Sequence, residues 1–337
     1  MVTLVIIARY QLSAAVQISA KIAGCKDTSM KKPRFVVALI TQDNDYQIEQ
    51  AASAEEAARR LGVDVQVVFA DNDSIQQSQQ VLKFIQSSSE ALPDGIILES
   101  VSGTALPLVA RAATAAGIGW VVLNRGADYI SELRRTHKVP VFSVAADNYE
   151  VGRIQGRQLA ALLPKGGSAL CIQGPSDSTT ARLRTEGMEQ TKPDNVQMKT
   201  IRGQWTEASA YKALSAWLRL STSQQSHNDV IIAQNDAMAM GARKAFHELS
   251  DSNARDRWLR LPYLGCDGVP KTGQAWVKSG SLAATVIVPP LAGQALGMVN
   301  AALQTGVIPP DLTLVAPSSF PALESLTRTL ASAAAKG

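Results

Sequence analysis

The feature that most constrains this chain is a repeated alternation of short apolar runs with longer helix-forming stretches. Phe35–Ile40 (FVVALI) is apolar throughout, as in a strand buried on both faces. Residues 47–61 (QIEQAASAEEAARRL) hold strong helix formers and no breaker, and Gly62 stops that helix. Val63–Phe69 is the next strand, 74–88 the next helix, and Gly95–Leu98 the third strand. Residues 104–116 read as helix, ended by Gly117, and Trp120–Leu123 is the fourth strand. The pattern then restarts. Val144–Ala146, Ser168–Ile172, Asp229–Ala233 and Tyr263–Gly265 read as strands, with helices over about 148–163, 178–190, 207–220 and 236–249. Strands alternating with helices imply parallel βαβ units covered by helices on both faces. The expected fold is therefore α/β, with two doubly wound parallel-sheet lobes, and 337 residues suffice for two domains. No long Pro/Ser-rich linker separates the halves. Short ordered crossings, a hinge and a cleft are expected instead.

Composition removes several function classes. Hydrophobic residues are 46% and charged residues 18%, as in ordinary globular proteins. The formal net charge is +4 and the 33 basic residues are scattered, which does not describe a nucleic-acid surface. Three cysteines (Cys25, Cys171 and Cys266) form neither a disulfide framework nor a CxxC pair. His137, His227 and His247 lack metal-ligand spacing, so neither a metal nor any other cofactor is expected. No run of 18 apolar residues suggests a membrane span. At the N-terminus, Val2–Ala8 is apolar, but Arg9, Gln11, Gln17 and Lys21 interrupt the stretch after it. Ile22-Ala23-Gly24-Cys25 has the form of a bacterial lipoprotein cleavage box, with Cys25 the lipidation site. Residues 1–33 then read as a leader or lipoprotein signal, although Met30 is an alternative start. Periplasm, membrane-anchored lipoprotein and, because the leader is a poor signal, cytoplasm stay open as compartments.

In open parallel sheets, ligands bind beyond the carboxyl ends of the strands. Asp43, Asn44, Asp45 and Tyr46 follow the first strand, Glu99 and Ser100 the third, and Asn124 and Arg125 the fourth. In the second half, Gln173–Thr180, Gln234-Asn235-Asp236 and Cys266-Asp267-Gly268 stand at strand ends, and Trp205 lies in a polar, loop-like stretch. Carboxylates and amides accept from and donate to vicinal hydroxyls, Arg offers a fork of donors, and an aromatic face covers the C–H face of a sugar ring. The same residues have plainer readings. Asp and Asn form turns and cap helices, and Asp236 reads first as a cap. Arg125 could neutralise Asp128, and Trp205 could be core. Repetition at successive strand ends in both halves carries the ligand reading.

Five segments carry a family resemblance. They are Val144-Ala-Ala-Asp-Asn148 with Gly152; Ala181-Arg-Leu-Arg184 with Gly187; Ala233-Gln-Asn-Asp236 with Met238, Met240 and Gly241; Leu264-Gly-Cys-Asp-Gly268; and Ala283-Ala-Thr285. With them, residues 34–325 resemble the type I periplasmic sugar-binding proteins, close to ribose-binding proteins, and the effector half of lactose-repressor family regulators. The resemblance implies two α/β lobes joined by three hinge segments. The first lobe is 34–145 plus 289–314, and the second is 146–288 plus 315–330. It places ligand contacts at Asn44, Tyr46, Gln47, Glu99, Ser100, Asn124 and Arg125 in the first lobe. In the second they fall at Arg182, Trp205, Asn235 and Asp267, with Val288 near the last hinge. Departures from the family pattern stand at Gln47 (usually aromatic), Asn124 (usually Asp) and Val288 (a Gln in ribose binders), which argues against ribose held in the usual way.

What the resemblance implies is a monomeric, non-enzymatic solute-binding protein. It would capture a monosaccharide or polyol by hinge closure and deliver it to a membrane ABC permease. A sensor presenting its ligand state to a membrane kinase or chemoreceptor is the alternative. A transcription regulator would need a helix-turn-helix ahead of Phe35, and the preceding residues lack a basic recognition helix. An enzyme would need a motif such as GxSxG, a P-loop, GxGxxG or HExxH, and none is present; Glu99 and Asp267 as an acid/base pair is the remaining enzymatic reading.

Overall fold

The computed structural model describes residues 31–88, 92–220 and 227–326. Cys25 and the rest of the leader up to residue 30 lie outside the described residues.

The first sheet has six parallel strands in the order β11-β5-β4-β3-β1-β2. They are β1 (Arg34–Leu39), β2 (Asp64–Phe69), β3 (Gly95–Leu98), β4 (Gly119–Leu123), β5 (Val141–Ala146) and β11 (Leu312–Val315). Every residue of β3, β4 and β5 is buried, which explains why they read as continuous apolar runs. Alternate residues of β1 serve opposite faces. Phe35, Val37 and Leu39 pack with α1 (Asp45–Leu61) and α11 (Ala292–Thr305). Val36 and Ala38 pack with α2 (Ser74–Ile85), α3 (Pro107–Ala115) and α4 (Ile130–Thr136).

The second sheet runs β7-β6-β8-β9, again parallel: β6 (Gly167–Gln173), β7 (Val196–Arg202), β8 (Val230–Ala233) and β9 (Tyr263–Leu264). Single bridges Leu264–Ala284 and Asp267–Ile287 carry its edge onto β10 (Thr285–Ile287), which pairs antiparallel with β12 (Ser318–Phe320). One face is covered by α5 (Asn148–Leu162) and α6 (Thr179–Thr191), the other by α7 (Glu207–Leu218), α8 (Asp236–His247), α9 (Ser252–Leu259) and α10 (Gly273–Lys278).

The chain crosses between the two sheets three times. It leaves β5 for α5, returns after β10 to α11 beneath the first sheet, and leaves β11, beside β5, for β12. Several elements differ from the sequence expectation. The helix expected from 104 begins at Pro107, because Ala105 and Leu106 both adopt left-handed backbone (φ 55° and 53°). The helix expected to reach 88 ends at Ile85. Strand β7 has no clear sequence signal because it is an edge strand, VQMKTIR, with only Val196 fully buried. The short helices α4, α9 and α10 have too few turns to show a clear period.

Candidate functional site

The carboxyl ends of both sheets face one cavity of about 60 Å³, to which both lobes contribute side chains. Asn44 caps α1. Its Oδ1 accepts from the backbone N–H groups of Tyr46 (2.9 Å) and Gln47 (3.4 Å), which satisfies the orphan donors of the first turn. Its Nδ2 is left to donate to the Trp205 carbonyl, 2.8 Å away on the other lobe. The Tyr46 hydroxyl donates to the Pro289 carbonyl (3.1 Å), so the start of α1 is tied to the late crossing. The Gln47 side chain is turned back to accept from Ile40 N–H at 3.0 Å.

Glu99 follows β3 and is 5% exposed. Asn124 donates to one of its oxygens at 2.7 Å, and Gln50 to the other at 3.4 Å. Burial raises its pKa, an effect those amides and the charge of Arg125 oppose. Arg125 donates from Nη1 to the Ser102 carbonyl at 2.7 Å. Burial lowers its pKa, and the charges of Glu99 and Asp177 oppose that.

On the second lobe, Arg184 projects from α6. Its Nε donates to Asn148 Oδ1 (3.0 Å) and its Nη1 to the Gln234 carbonyl, while its guanidinium lies 5.7 Å from the Trp205 ring centroid. Asn235 repeats the arrangement of Asn44. Its Oδ1 caps α8 at Met238 N–H (2.9 Å), and its Nδ2 donates to the Trp205 carbonyl (2.9 Å). Trp205, in left-handed backbone (φ 63°), thus receives an amide from each lobe. Asp267, also at positive φ (107°), has Arg184 Nη1 3.9 Å from its carboxylate. Burial pushes its pKa well up; Arg184 opposes that, while Asp236, Glu99 and Asp45 add to it.

Nine of the expected contact residues meet at the cavity: Asn44, Tyr46, Gln47, Glu99, Asn124, Arg125, Trp205, Asn235 and Asp267. Three do not. Arg182 points to solvent and pairs with Glu186 at 2.7 Å, its side chain 58% exposed. It stands about 200° around α6 from Arg184, which takes the place expected for it. Ser100 is fully buried, its hydroxyl against that of Ser102 (3.2 Å), and it lines an adjoining cleft instead. Val288 is packed behind the cavity among Tyr46, Val151, Cys266 and Val286.

Ser178 and Thr180, from the strand-end stretch Gln173–Thr180, also line the cavity, and the residues missed are Ile40, Thr41 and Arg184. The Ala181/Arg184/Gly187/Met188 spacing of the buried face of α6 was the signal for Arg184. Asp236 is not the cap of α8, a place Asn235 holds. It is a buried brace whose oxygens accept from Thr285 Oγ1 (2.7 Å) and Gly268 N–H (2.8 Å), and burial raises its pKa to about 7 against those bonds. Cys171 and Cys266 are buried free thiols. Among the described residues, no cluster of three or more His, Cys, Asp and Glu is placed to hold a metal, and no helix is long and apolar enough to cross a membrane.

Curated relatives span most of this chain. The D-apiose import binding protein of Paraburkholderia graminis is 28% identical over 261 residues, 75% of this chain and 76% of its own. The ribose import binding protein of Escherichia coli is 26% identical over 277 residues, 82% and 84% of the two chains. A solute-binding protein of Actinobacillus succinogenes solved with D-allose superposes with a TM-score of 0.72 at 21% identity, over 88% of this chain and all (100%) of that one. The myo-inositol binding protein of Caulobacter superposes with a TM-score of 0.69 at 21% identity, over 88% and 95%. These two establish likeness of fold. Residues 35–306 match the periplasmic binding protein domain. With its two parallel sheets facing one polar cavity, the chain belongs to the periplasmic binding protein family.

Proposed function

We propose that this protein is a solute receptor for sugar import. It captures a small polyhydroxylated ligand, a monosaccharide or polyol, between its lobes and presents the closed form to an ABC-type permease. It works as a monomer in the periplasm, without chemical change to the ligand. The observation that carries this reading is the cavity itself. Carboxylates, side-chain amides and guanidinium groups converge there from both lobes beside the rings of Tyr46 and Trp205. Hydroxyl groups can donate to Glu99 and Asp267 and accept from Arg125 and Arg184. The import roles of the apiose and ribose relatives support the assignment.

The mechanism is closure about the three crossings. Ligand settles against one lobe, and contacts from the other favour the closed arrangement over the open one. We assign Asn44, Tyr46, Gln47, Glu99, Asn124 and Arg125 to the first-lobe wall, and Arg184, Trp205, Asn235 and Asp267 to the second. The test is a thermal-unfolding screen of pentoses, hexoses and inositols, followed by titration calorimetry on those that raise the transition. Expected is at least one sugar or polyol that stabilises the wild type and not Arg184→Ala, recovered unchanged after binding. If no member of the panel shifts the wild-type transition, the sugar reading falls.

A further inference from the structure

The cavity between the lobes is bounded on one side by Arg125. A second cleft of about 290 Å³ adjoins it, several times the volume of the inner cavity. The two share Ile40, Arg125, Ser178 and Trp205 as a common wall. Both lobes build the cleft: Asn72, Val101 and Gly103 stand on one side, Pro175, Asp177 and Gln204 on the other. The two lobes come close at one end of this cleft, where a Cβ on Gly103 would lie 2.9 Å from the Asp177 carbonyl oxygen. Its lining mixes amide, carboxylate and guanidinium groups with aliphatic and indole surface, the chemistry that suits a hydroxylated group with apolar faces. A ligand consisting of one bare sugar ring would leave that volume unused.

We propose that the ligand is a glycoside: a sugar ring in the inner cavity whose substituent leaves past Arg125 and Trp205 into the outer cleft. This rests on the sugar-binding reading and specifies the ligand class within it.

The test is titration calorimetry with matched pairs, each free sugar against both of its methyl glycosides, using D-ribose, L-arabinose and D-allose. Expected is a pair in which one methyl anomer binds at least as tightly as its parent sugar. Val101→Trp fills the outer cleft from the first lobe and Gln204→Trp from the exposed rim of the second. Either change should weaken the glycoside tenfold or more and leave the parent sugar within threefold. Parent sugars that bind while both anomers of each are weaker by a hundredfold or more would overturn the glycoside inference and leave the sugar-binding reading standing. An equal loss of both partners in the tryptophan variants would also overturn it. Failure of every glycoside, and of every pentose, hexose and inositol in the wider screen, to bind the wild type would overturn both readings together.

Discussion

Arg184 and Asp267 decide the second-lobe side of the cavity, and each has a distinct expected signature. Arg184 is 6% exposed and bridges Asn148, Gln234 and the Trp205 ring. Truncating it leaves two buried acceptors without their donor and Asp267 without the positive charge beside it. Arg184→Ala should therefore destabilise the fold by about 3–5 kcal/mol and abolish ligand-induced stabilisation. Arg182→Ala, on the solvent face of the same helix, should cost about 0–1 kcal/mol and leave binding unchanged. Thermal unfolding with and without ligand separates the two. The distinction was not legible from the Arg-Leu-Arg segment alone, because choosing between residues two apart requires the helix phase, which α6 shows only through Ala181, Gly187 and Met188.

Asp267 behaves differently. Its ordinary pKa is 3.8, and the folded protein holds it well above that. A carboxyl with a raised folded pKa binds more protons in the folded than in the unfolded state at intermediate pH. Its stabilising contribution is complete below about pH 4 and is lost as pH rises towards the folded value. Asp267→Asn removes that loss and suits the positive φ better. Relative to wild type the variant should gain stability between pH 5 and pH 8, and it should bind ligand tenfold or more weakly. Urea titrations at the two pH values measure that gain.

At the level of elements, the position of Arg184 is set by how closely α5 and α6 approach. A Cβ on Gly152 would fall 2.1 Å from the Arg184 carbonyl oxygen, and one on Gly187 would fall 2.0 Å from that of Tyr149. The two backbones therefore touch at glycines. Ala is the better helix former in isolation, by about 1 kcal/mol, yet here it forces the helices apart. Gly187→Ala should cost about 1–3 kcal/mol and weaken ligand binding through displacement of α6, with no change to any cavity side chain. Calorimetry together with the urea midpoint checks both effects. These glycines were visible in the sequence among the segments that carry the resemblance, although no spacing argument said what they approach. The apolar strands were legible because burial on both faces removes polar residues from them. Strand β7 and helices α9 and α10 were not, since an edge strand and short surface helices keep mixed composition whatever their structure. The α1 cap shows the same limit from the other side. Asn44 was legible as a cap and as a cavity residue, but the reach of its Nδ2 to Trp205, 161 residues away, is a property of tertiary structure alone.

For the whole molecule, the closed arrangement depends on few direct lobe-to-lobe contacts. Asn44 donates to the Trp205 carbonyl, Thr180 and Asn148 both reach the Asn124 carbonyl at 3.4 Å, Tyr46 packs among Val151, Ile154, Cys266 and Val269, and Gly103 lies against Asp177. Each sheet has its own two-sided core, so separating the lobes leaves those four cores intact and uncovers only the small cluster around Tyr46. A bulky residue at Gly103 acts on the closed state alone, because the atom it meets belongs to the other lobe and retreats when the cleft opens. Gly103→Leu should leave thermal unfolding of the ligand-free protein within about 0.5 kcal/mol of wild type, as for other surface changes. Ligand affinity should fall by the factor by which the closed form is disfavoured, about tenfold for each 1.4 kcal/mol. Small-angle scattering supplies the independent check. Saturating ligand should compact the wild type, and the variant should need proportionately more ligand to reach the same radius of gyration. A variant that binds as tightly as wild type without compaction would show that ligand is held by one lobe, and closure would then have no part in capture.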